Sequence, residues 1–189
     1  PQIAVKKGAS YDLSFSARTA GAPVTLKLSL ETADGKTLAS GEAAAAGADW
    51  KKCAVTFTPS DSCATARFVL RTAKPGECWL DGFSLFPKET WKNRPNGFRP
   101  DLMEMLAAMK PAFVRFPGGC FVEGNMPENR AQWKHSIGPL EERIGQYCTW
   151  GYRISNGFGY HEFLQMCEDL GAEPLYVINC GMSHHDKPG

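Results

Sequence analysis

The sequence lacks a strong excess of charge of either sign. Its 21 Lys and Arg residues nearly balance its 20 Asp and Glu residues, which leaves a formal net charge of +1 at pH 7. Proteins that bind nucleic acid or an anionic membrane surface through electrostatics carry basic clusters. We therefore expect neither nucleic acid nor a membrane surface as a partner.

The sequence also lacks an apolar run of about 18 residues, the length that a membrane-spanning helix needs. Its opening segment, PQIAVKKGAS, contains neither an initiator methionine nor the apolar core of a signal peptide. We interpret this start as a cut made in a longer protein, so the segment that would show export lies outside the sequence.

Cysteine is present, but its spacing does not suit a metal site. The seven cysteines lie at positions 53, 63, 78, 120, 148, 167 and 180, and no two of them form a C-x-x-C pair. This spacing argues against a zinc knuckle or a thioredoxin-type redox site. The odd count leaves at least one thiol unpaired, and we expect mostly reduced thiols because free cysteine is common in protein cores. The sequence predicts no metal and no cofactor.

Up to about residue 86 apolar and polar residues alternate. The segments YDLSFSAR (11–18) and VTLKLSL (24–30) show the pattern most clearly. Alternation directs one face of a strand to a core and the other to water. Turn residues such as Asp34-Gly35 and Pro75-Gly76 separate the runs. Several short strands with this spacing predict an antiparallel β-sandwich, which we assign to residues 1–88.

The period changes after Pro87. One stripe of a predicted helix is formed by Leu102, Met105, Leu106 and Met109. A short buried strand over 112–116 follows, then a second helical stripe over 163–170 and a second buried strand over 175–178. Alternating helices and apolar strands predict parallel βα units with the helices outside. We assign this α/β part to residues 89–189.

About 40 residues separate the first of these strands from the second helix. Loops longer than roughly 12–15 residues are uncommon in compact domains and are often functional. This one is rich in Trp, Tyr, Arg, Glu and Asn, side chains that bind sugars by stacking and by polar contacts. It leaves the C-terminal end of a parallel strand, where α/β barrels place their active sites, and Asn179 leaves the next strand at the same edge.

Several polar residues allow two interpretations. Arg115 ends a predicted strand, so it either forms a structural ion pair or points at a catalytic carboxylate. Cys120 could act as a nucleophile if an imidazole lay beside it, but the sequence brings neither His135 nor His161 to it. The run His184–Asp186 could bind a metal, although solvated loop residues are the simpler interpretation.

The tryptophans also allow two interpretations. In the long loop, Trp133 and Trp150 could be platforms for sugar rings or could pack the loop. In the first half, we expect Trp50 and Trp79 to lie in the core of the sandwich rather than to contact a ligand.

Nearly the whole second half resembles family 51 of the glycoside hydrolases, the α-L-arabinofuranosidases. The resemblance rests on the stretches NGFRPDLMEML, KPAFVRFPGGCFVEG, WKHSIGPLEERIG, WGYRISNGFGYHEFLQMCEDLGAEPL and VINCG. The first half resembles the carbohydrate-binding-module-like sandwich that many members insert after the first barrel strand, through KGASYDLSFSAR and CWLDGFSLFPKETW.

The resemblance implies an α+β multidomain protein in which the sandwich precedes the first βα units of a truncated (β/α)8 TIM barrel. The first barrel strand, and the first strands of the sandwich, should precede Pro1. The family carries its acid/base and nucleophile glutamates on later strands. We therefore expect no catalytic acid, base or nucleophile within residues 1–189, and no activity from the chain alone.

The resemblance also implies roles for residues of the long loop. Arg115 matches the strand-end arginine that hydrogen-bonds the nucleophile carboxylate, and Cys120 matches a residue that contacts the furanose ring. Further substrate contacts are expected at Trp150, Asn156, Glu123 and Asn125.

The implied activity is the retaining hydrolysis of terminal non-reducing α-L-arabinofuranosyl residues in plant polysaccharides. The expected partner is an arabinose-containing oligo- or polysaccharide, the expected location is periplasmic or secreted, and the longer protein is expected to form homo-oligomers. Two alternatives stay open. The sandwich could be a non-catalytic carbohydrate-binding module, or Cys120 could be the nucleophile of an unrelated hydrolase.

Overall fold

A computed structural model describes residues 2–184. The chain divides into two compact units, one over residues 1–101 and the other over residues 102–189. The boundary expected after residue 88 directly follows the last strand of the first unit, which ends at Pro87. The short segment 89–101 groups with the first unit.

The first unit is an antiparallel β-sandwich. Its strands are β1 (Ile3–Val5), β2 (Tyr11–Arg18), β3 (Val24–Glu31), β4 (Thr37–Ala45), β5 (Lys51–Phe57), β6 (Cys63–Thr72) and β7 (Trp79–Pro87). One sheet has the order β1-β6-β3-β4 and the other has the order β5-β2-β7. Every pairing in both sheets is antiparallel, as the alternating sequence predicts.

The core of the sandwich is formed by the alternating residues of both sheets. Leu13 and Phe15 on β2 share this core with Leu26 and Leu30 on β3, and all four side chains are at most 2% exposed. Each large side chain buried in this way stabilises the fold by about 1.5–3 kcal/mol. At one edge the sheets approach so closely that a Cβ atom on Gly41 would lie 2.4 Å from the side chain of Val55.

A buried carboxylate on β3 is satisfied by its neighbours. Glu31 accepts hydrogen bonds from the hydroxyl of Ser29 at 2.6 Å and from Nη2 of Arg71 at 3.0 Å. The hydrogen bond from Arg71 has the larger effect and that from Ser29 the smaller, and together they lower the pKa of Glu31 from 4.5 to about 2. The carboxylate lies on the face of β3 opposite the core, next to the exposed Arg71, and it stays ionised throughout the neutral and mildly acidic range.

The second unit contains the predicted βα pattern. Its elements are α1 (Pro100–Ala108), β8 (Phe113–Phe116), α2 (Cys120–Glu123), β9 (Gln146–Tyr147), β10 (Arg153–Ile154), α3 (Tyr160–Leu170) and β11 (Glu173–Tyr176). The first two residues of α1 group with the first unit. Strands β8 and β11 pair in parallel, from Phe113 opposite Glu173 to Phe116 opposite Tyr176. Helix α3 ends at Gly171, which has a left-handed backbone as expected for a C-cap. None of the helices within residues 2–184 has the length and apolarity to span a bilayer.

The apolar stripe of α1 is helical but not buried. Met105, and Met109 just after the helix, are 71% and 75% exposed, whereas the side chain of Met103 is buried. The expectation of buried strands is also wrong for this chain, because Phe113 on β8 and Leu175 on β11 are at least half exposed. A two-stranded sheet has too few neighbours to cover both of its faces, which explains the difference.

Candidate functional site

The loops that follow β8 and β11 lie side by side. The Nδ2 of Asn179 donates to the carbonyl oxygen of Val122 at 3.0 Å, and the backbone N–H of His184 donates to that of Gly124 at 2.7 Å. Because the strands are parallel, their C-terminal ends lie at one edge of the sheet, and both loops start there. The prediction that Asn179 shares an edge with the long loop is confirmed.

Three side chains from these loops form a linked group, here called the Cys120 cluster: Cys120, Glu123 and His184. The Sγ of Cys120 lies 3.6 Å from Nε2 of His184. The Nδ1 of the same imidazole lies 3.1 Å from Oε2 of Glu123. The His184 and Glu123 side chains are 38% and 41% exposed, so water and small solutes reach the cluster.

Helix α2 brings two members of the cluster to one face. It forms a single turn, so Cys120 and Glu123, three residues apart, project on the same side. Gly119 and Gly124 flank this turn with positive φ values of 59° and 70°. A Cβ atom on Gly124 would lie 2.6 Å from the backbone nitrogen of Arg130, so the loop closes only with glycine there.

The imidazole beside Cys120 belongs to a histidine that sequence analysis assigned to solvent. His184 lies on the loop after β11, and its neighbours in the run, His185 and Asp186, lie outside the described residues. No three His, Cys, Asp or Glu side chains within residues 2–184, the Cys120 cluster included, are arranged so that they could hold a metal ion. The predicted parallel pairing of the two strands places this loop and Cys120 at the same edge of the sheet, but it does not specify their contact.

Arg115 lies near the end of β8 and folds back over the following turn. A Cβ atom on Gly118 would lie 1.7 Å from its Nη2, so the guanidinium occupies the space above that glycine. The ion pairs found within residues 2–184 do not involve Arg115. Sequence analysis left two roles open for Arg115, a structural ion pair or contact with a catalytic carboxylate. The structural ion pair is not observed within residues 2–184.

Trp150 projects from a tight turn next to the Cys120 cluster. The turn is closed by a hydrogen bond from the backbone N–H of Cys148 to the carbonyl of Tyr152, 2.7 Å long. The hydroxyl of the adjacent Thr149 donates to the carbonyl of Cys120 at 3.5 Å. The Trp150 indole is 59% exposed and is therefore open to a ligand.

Two asparagines of the predicted site differ in their environment. The Oδ1 of Asn125 is buried and accepts no hydrogen bond from residues 2–184. Asn156 has a positive φ of 55°, and its Nδ2 donates to the carbonyl of Ile144 at 2.7 Å. Asn125 thus offers an unused acceptor, whereas one donor of Asn156 already holds the loop.

Asn156 lines a separate cavity of about 390 Å³. Its other lining residues include Phe116, Phe121, Trp133, Phe158 and Tyr176, and neither Cys120 nor Glu123 is among them. Tyr160 links the Trp133 ring, at a centroid distance of 5.5 Å, to the Tyr176 ring at 4.6 Å. Trp133 therefore packs the loop against α3, and through Tyr160 it is linked to β11; it also forms part of the cavity wall.

Arg143 holds the long loop together, a role that sequence analysis missed. Its side chain is only 4% exposed, and it donates to the two carboxylate oxygens of Glu162 at 2.9 and 2.7 Å. It also donates to the carbonyl of Asn156 at 2.9 Å. Burial raises the pKa of Glu162, but hydrogen bonds from Arg143 and from backbone N–H groups outweigh burial, and the pKa lies below its ordinary value.

The expected core position of Trp50 and Trp79 is wrong. Both side chains are exposed, by 48% and 38%, and the guanidinium carbon of Arg18 lies 5.0 Å from the centroid of each ring. Arg18 pairs with Trp79 across β2 and β7, on the face opposite the buried Ala17. The three side chains, here called the Trp–Arg–Trp row, lie on the solvent face of the three-stranded sheet.

A β-bulge explains the error at Trp79. The register between β2 and β7 shifts between Ser14 and Ser16, and Gly82 has a positive φ of 63°. The extra residue reverses the alternation, so Phe83 stacks on the buried Phe15 while Trp79 faces solvent.

Both halves of the chain match known protein families. Residues 105–188 match the family described as "Alpha-L-arabinofuranosidase 1 domain", and residues 1–76 match "Carbohydrate binding domain". Alpha-L-arabinofuranosidase 1 of Arabidopsis thaliana is 41% identical over 188 residues, covering 97% of this chain and 27% of that protein. The extracellular exo-alpha-L-arabinofuranosidase of Streptomyces chartreusis is 42% identical over 187 residues, covering 93% of this chain and 22% of that protein.

The fold comparison agrees. The arabinose-bound MgGH51 α-L-arabinofuranosidase superposes on 96% of this chain, and on 31% of its own length, with a TM-score of 0.88 and 34% identity. These relatives, which share a sandwich followed by parallel βα structure with this chain, are glycoside hydrolases. The findings support a fragment of family 51, the α-L-arabinofuranosidases, and the chain spans about a quarter of the length of the curated relatives that match it over most of its residues.

Proposed function

We propose that this chain is part of a retaining α-L-arabinofuranosidase that removes terminal non-reducing α-L-arabinofuranosyl residues from plant polysaccharides. The observation that carries the proposal is the agreement over both units at once, with a TM-score of 0.88 across 96% of the chain. The Streptomyces relative is named as an extracellular, exo-acting enzyme, which supports cleavage at chain ends and a secreted or periplasmic location. Homo-oligomer formation stays a prediction.

In a retaining glycosidase two carboxyl groups about 5–5.5 Å apart act as nucleophile and acid/base through a covalent glycosyl-enzyme. We assign neither role to a glutamate of this chain. Glu123, the glutamate of the Cys120 cluster, is bonded to His184, and Glu162 is paired with the buried Arg143. The catalytic pair would then be supplied by a part of the enzyme outside residues 1–189.

Arg115 is proposed to orient the nucleophile. Its guanidinium lies over Gly118, at the C-terminal end of β8, and no carboxylate within residues 2–184 pairs with it. A charge-assisted hydrogen bond from arginine shortens the contact and keeps a carboxylate ionised and fixed in orientation. An ionised, oriented carboxylate is what nucleophilic attack on the sugar requires.

The sugar is proposed to contact the loop between β8 and α3. The exposed Trp150 indole offers an apolar face for a furanose ring. Asn125 keeps its proposed place on this loop, but its Oδ1 is buried, so it would accept from a sugar hydroxyl only after the loop moves. Cys120 and Glu123 border the same loop at the C-terminal edge of the sheet. Asn156, on the neighbouring cavity, is proposed to belong to a second subsite.

The second unit is proposed to be the opening of a (β/α)8 barrel. Support comes from the parallel pairing of β8 and β11 and from the apolar surface that the unit leaves uncovered. The exposed side chains include Leu102, Met105, Met109, Phe113, Leu175 and Ile178. Further βα units packed on both sides would bury such residues, as in a closed barrel.

A second candidate function concerns the sandwich. The Trp–Arg–Trp row presents two exposed indoles on the solvent face of the three-stranded sheet, and Nε of Arg18 is buried without a hydrogen-bond partner in residues 2–184. Together with the match of residues 1–76 to a carbohydrate binding domain, this favours sugar binding by the sandwich itself. Titration of the chain with arabinoxylan oligosaccharides, comparing wild type with Trp50→Ala, tests it.

The stereochemistry of hydrolysis tests the main proposal. A chain extended to the length of its relatives is incubated with an aryl α-L-arabinofuranoside, and proton NMR follows the first sugar released. The proposal predicts that the α-anomer appears before mutarotation. Release of the β-anomer first, or release of a different sugar only, would contradict it.

A further inference from the structure

We propose that Cys120 is an activated thiol, a covalent modification site for soft electrophiles and peroxides, with His184 as its base and Glu123 orienting that base. The contacts that carry the inference are the Sγ–Nε2 distance of 3.6 Å and the Nδ1–Oε2 distance of 3.1 Å. This chemistry is separate from the hydrolysis proposed above and needs no sugar.

The order of the contacts gives each group its role. A carboxylate accepts hydrogen bonds, so Glu123 selects the imidazole tautomer whose proton lies on Nδ1. The Nε2 lone pair then points at the thiol of Cys120 and can accept its proton. A nucleophile within reach of a base, itself held by a third group, is the arrangement that activates serine and cysteine side chains.

The surroundings leave this thiol accessible, unlike two others of the chain. Cys120 is half-buried beside exposed loop residues, whereas Cys148 and Cys167 are 2% and 1% exposed. Cys180 is more exposed than Cys120 and lies on the same loop as His184. The chain thus contains its own controls. Cys148 and Cys167 are buried thiols, and Cys180 is an exposed thiol outside the Cys120 cluster.

With a haloacetamide, the sulfur of Cys120 attacks the CH2 carbon. The S–C bond forms as the C–I bond breaks, iodide leaves, and the thiol proton passes to Nε2 of His184. The carboxylate of Glu123 stabilises the resulting imidazolium. With hydrogen peroxide, an S–O bond forms as the O–O bond breaks and the leaving hydroxide takes the proton to become water. The sulfur is oxidised to a sulfenic acid and the peroxide is reduced.

Native alkylation with iodoacetamide, with the label on each cysteine quantified by peptide mass spectrometry, tests the proposal. Cys120 should react at least about tenfold faster than Cys180 although Cys180 is more exposed, because the base removes the thiol proton. The variant His184→Gln should slow labelling of Cys120 about tenfold and leave Cys180 unchanged. Glu123→Gln should slow it less, because the amide oxygen still accepts the hydrogen bond from Nδ1.

Equal rates at Cys120 and Cys180 in the wild type, or an unchanged Cys120 rate in His184→Gln, would overturn the proposal. Cys148 and Cys167 report folding in the same experiment, since both stay unlabelled while their unit is intact. If His184→Gln exposes them, Glu123→Gln decides: slower labelling of Cys120 supports the activated thiol, and an unchanged rate rejects it.

Discussion

The two units of the chain differ in how much of their apolar surface they cover themselves. In the sandwich, Leu26 and Phe57 are fully buried between two sheets of the same unit. In the α/β unit, Met105 and Phe113 are 71% and 60% exposed, although their positions follow the pattern of buried helices and strands. A closed pair of sheets completes its core, whereas two parallel strands with their helices do not.

Because of this difference, the residues that stabilise the fold and the predicted site residues lie mostly in different units. The sandwich holds most of the buried apolar residues, whereas the predicted site residues lie on loops of the α/β unit. Those loops are fixed by a few long-range polar contacts, such as the pair formed by Arg143 and Glu162. Substitutions should therefore act on stability in one unit and on site geometry in the other.

The largest effect is expected in the core of the sandwich. Phe57→Ala should lower the free energy of unfolding by about 3–5 kcal/mol, because it leaves a cavity between the sheets. Met105→Ala on α1 should change it by less than about 0.5 kcal/mol, because that side chain is exposed. Denaturant unfolding of the two variants checks the prediction. Equal decreases in the free energy of unfolding would contradict it.

The next effect is local to the long loop. Arg143→Ala leaves the carboxylate of Glu162 partly buried and unpaired, which should destabilise the loop by about 3 kcal/mol. Hydrogen exchange of backbone amides in segment 138–159 should become on the order of 100-fold faster while the sandwich keeps its protection. The contrary result is unchanged exchange in the loop, or equal loss of protection in both units.

A smaller effect is expected from moving Arg115. Gly118→Ala would displace the guanidinium, because the new Cβ would overlap it, and the flexible side chain can give way at little cost in stability. In a chain extended to the length of its relatives, kcat/KM on an aryl α-L-arabinofuranoside should fall on the order of 10- to 100-fold. Gly21→Ala, which meets no atom within 4 Å, is the matched control. Equal activity in the two variants would count against the role of Arg115.

The smallest effect concerns the pH dependence of the sandwich. The pKa of Glu31 is lowered from 4.5 to about 2, so its ionised form stabilises the fold above pH 4.5, and this contribution is lost as the pH falls towards 2. Glu31→Gln should flatten that part of the stability curve. Urea unfolding between pH 2 and pH 5 checks this prediction, which fails if both proteins show the same slope.

Local patterns predicted the elements and the edge of the sheet where the candidate site residues lie. Alternation over 11–18 and 24–30 predicted β2 and β3, and the helical stripe predicted α1. The bulge at Gly82 reversed the side on which Trp79 lies, because one extra residue shifts a period of two. Alternation alone gives no sign of such an insertion.

Contacts between distant residues could not be predicted in the same way. His184 is 64 residues from Cys120, and Glu162 is 19 residues from Arg143. Such pairs depend on how the loops cross after the strands have formed, and no local period records that. The exposed stripe of α1 likewise follows from which partners are present rather than from the helix itself.

The central claim is that the chain contributes binding and positioning residues, but not the catalytic carboxylates, to an α-L-arabinofuranosidase. The most direct test measures hydrolysis of an aryl α-L-arabinofuranoside by the 189-residue chain and by a chain extended to the length of its relatives, side by side. The account predicts turnover by the extended protein alone. Turnover by the 189-residue chain, abolished by Cys120→Ser, would contradict it and would make Cys120 the nucleophile.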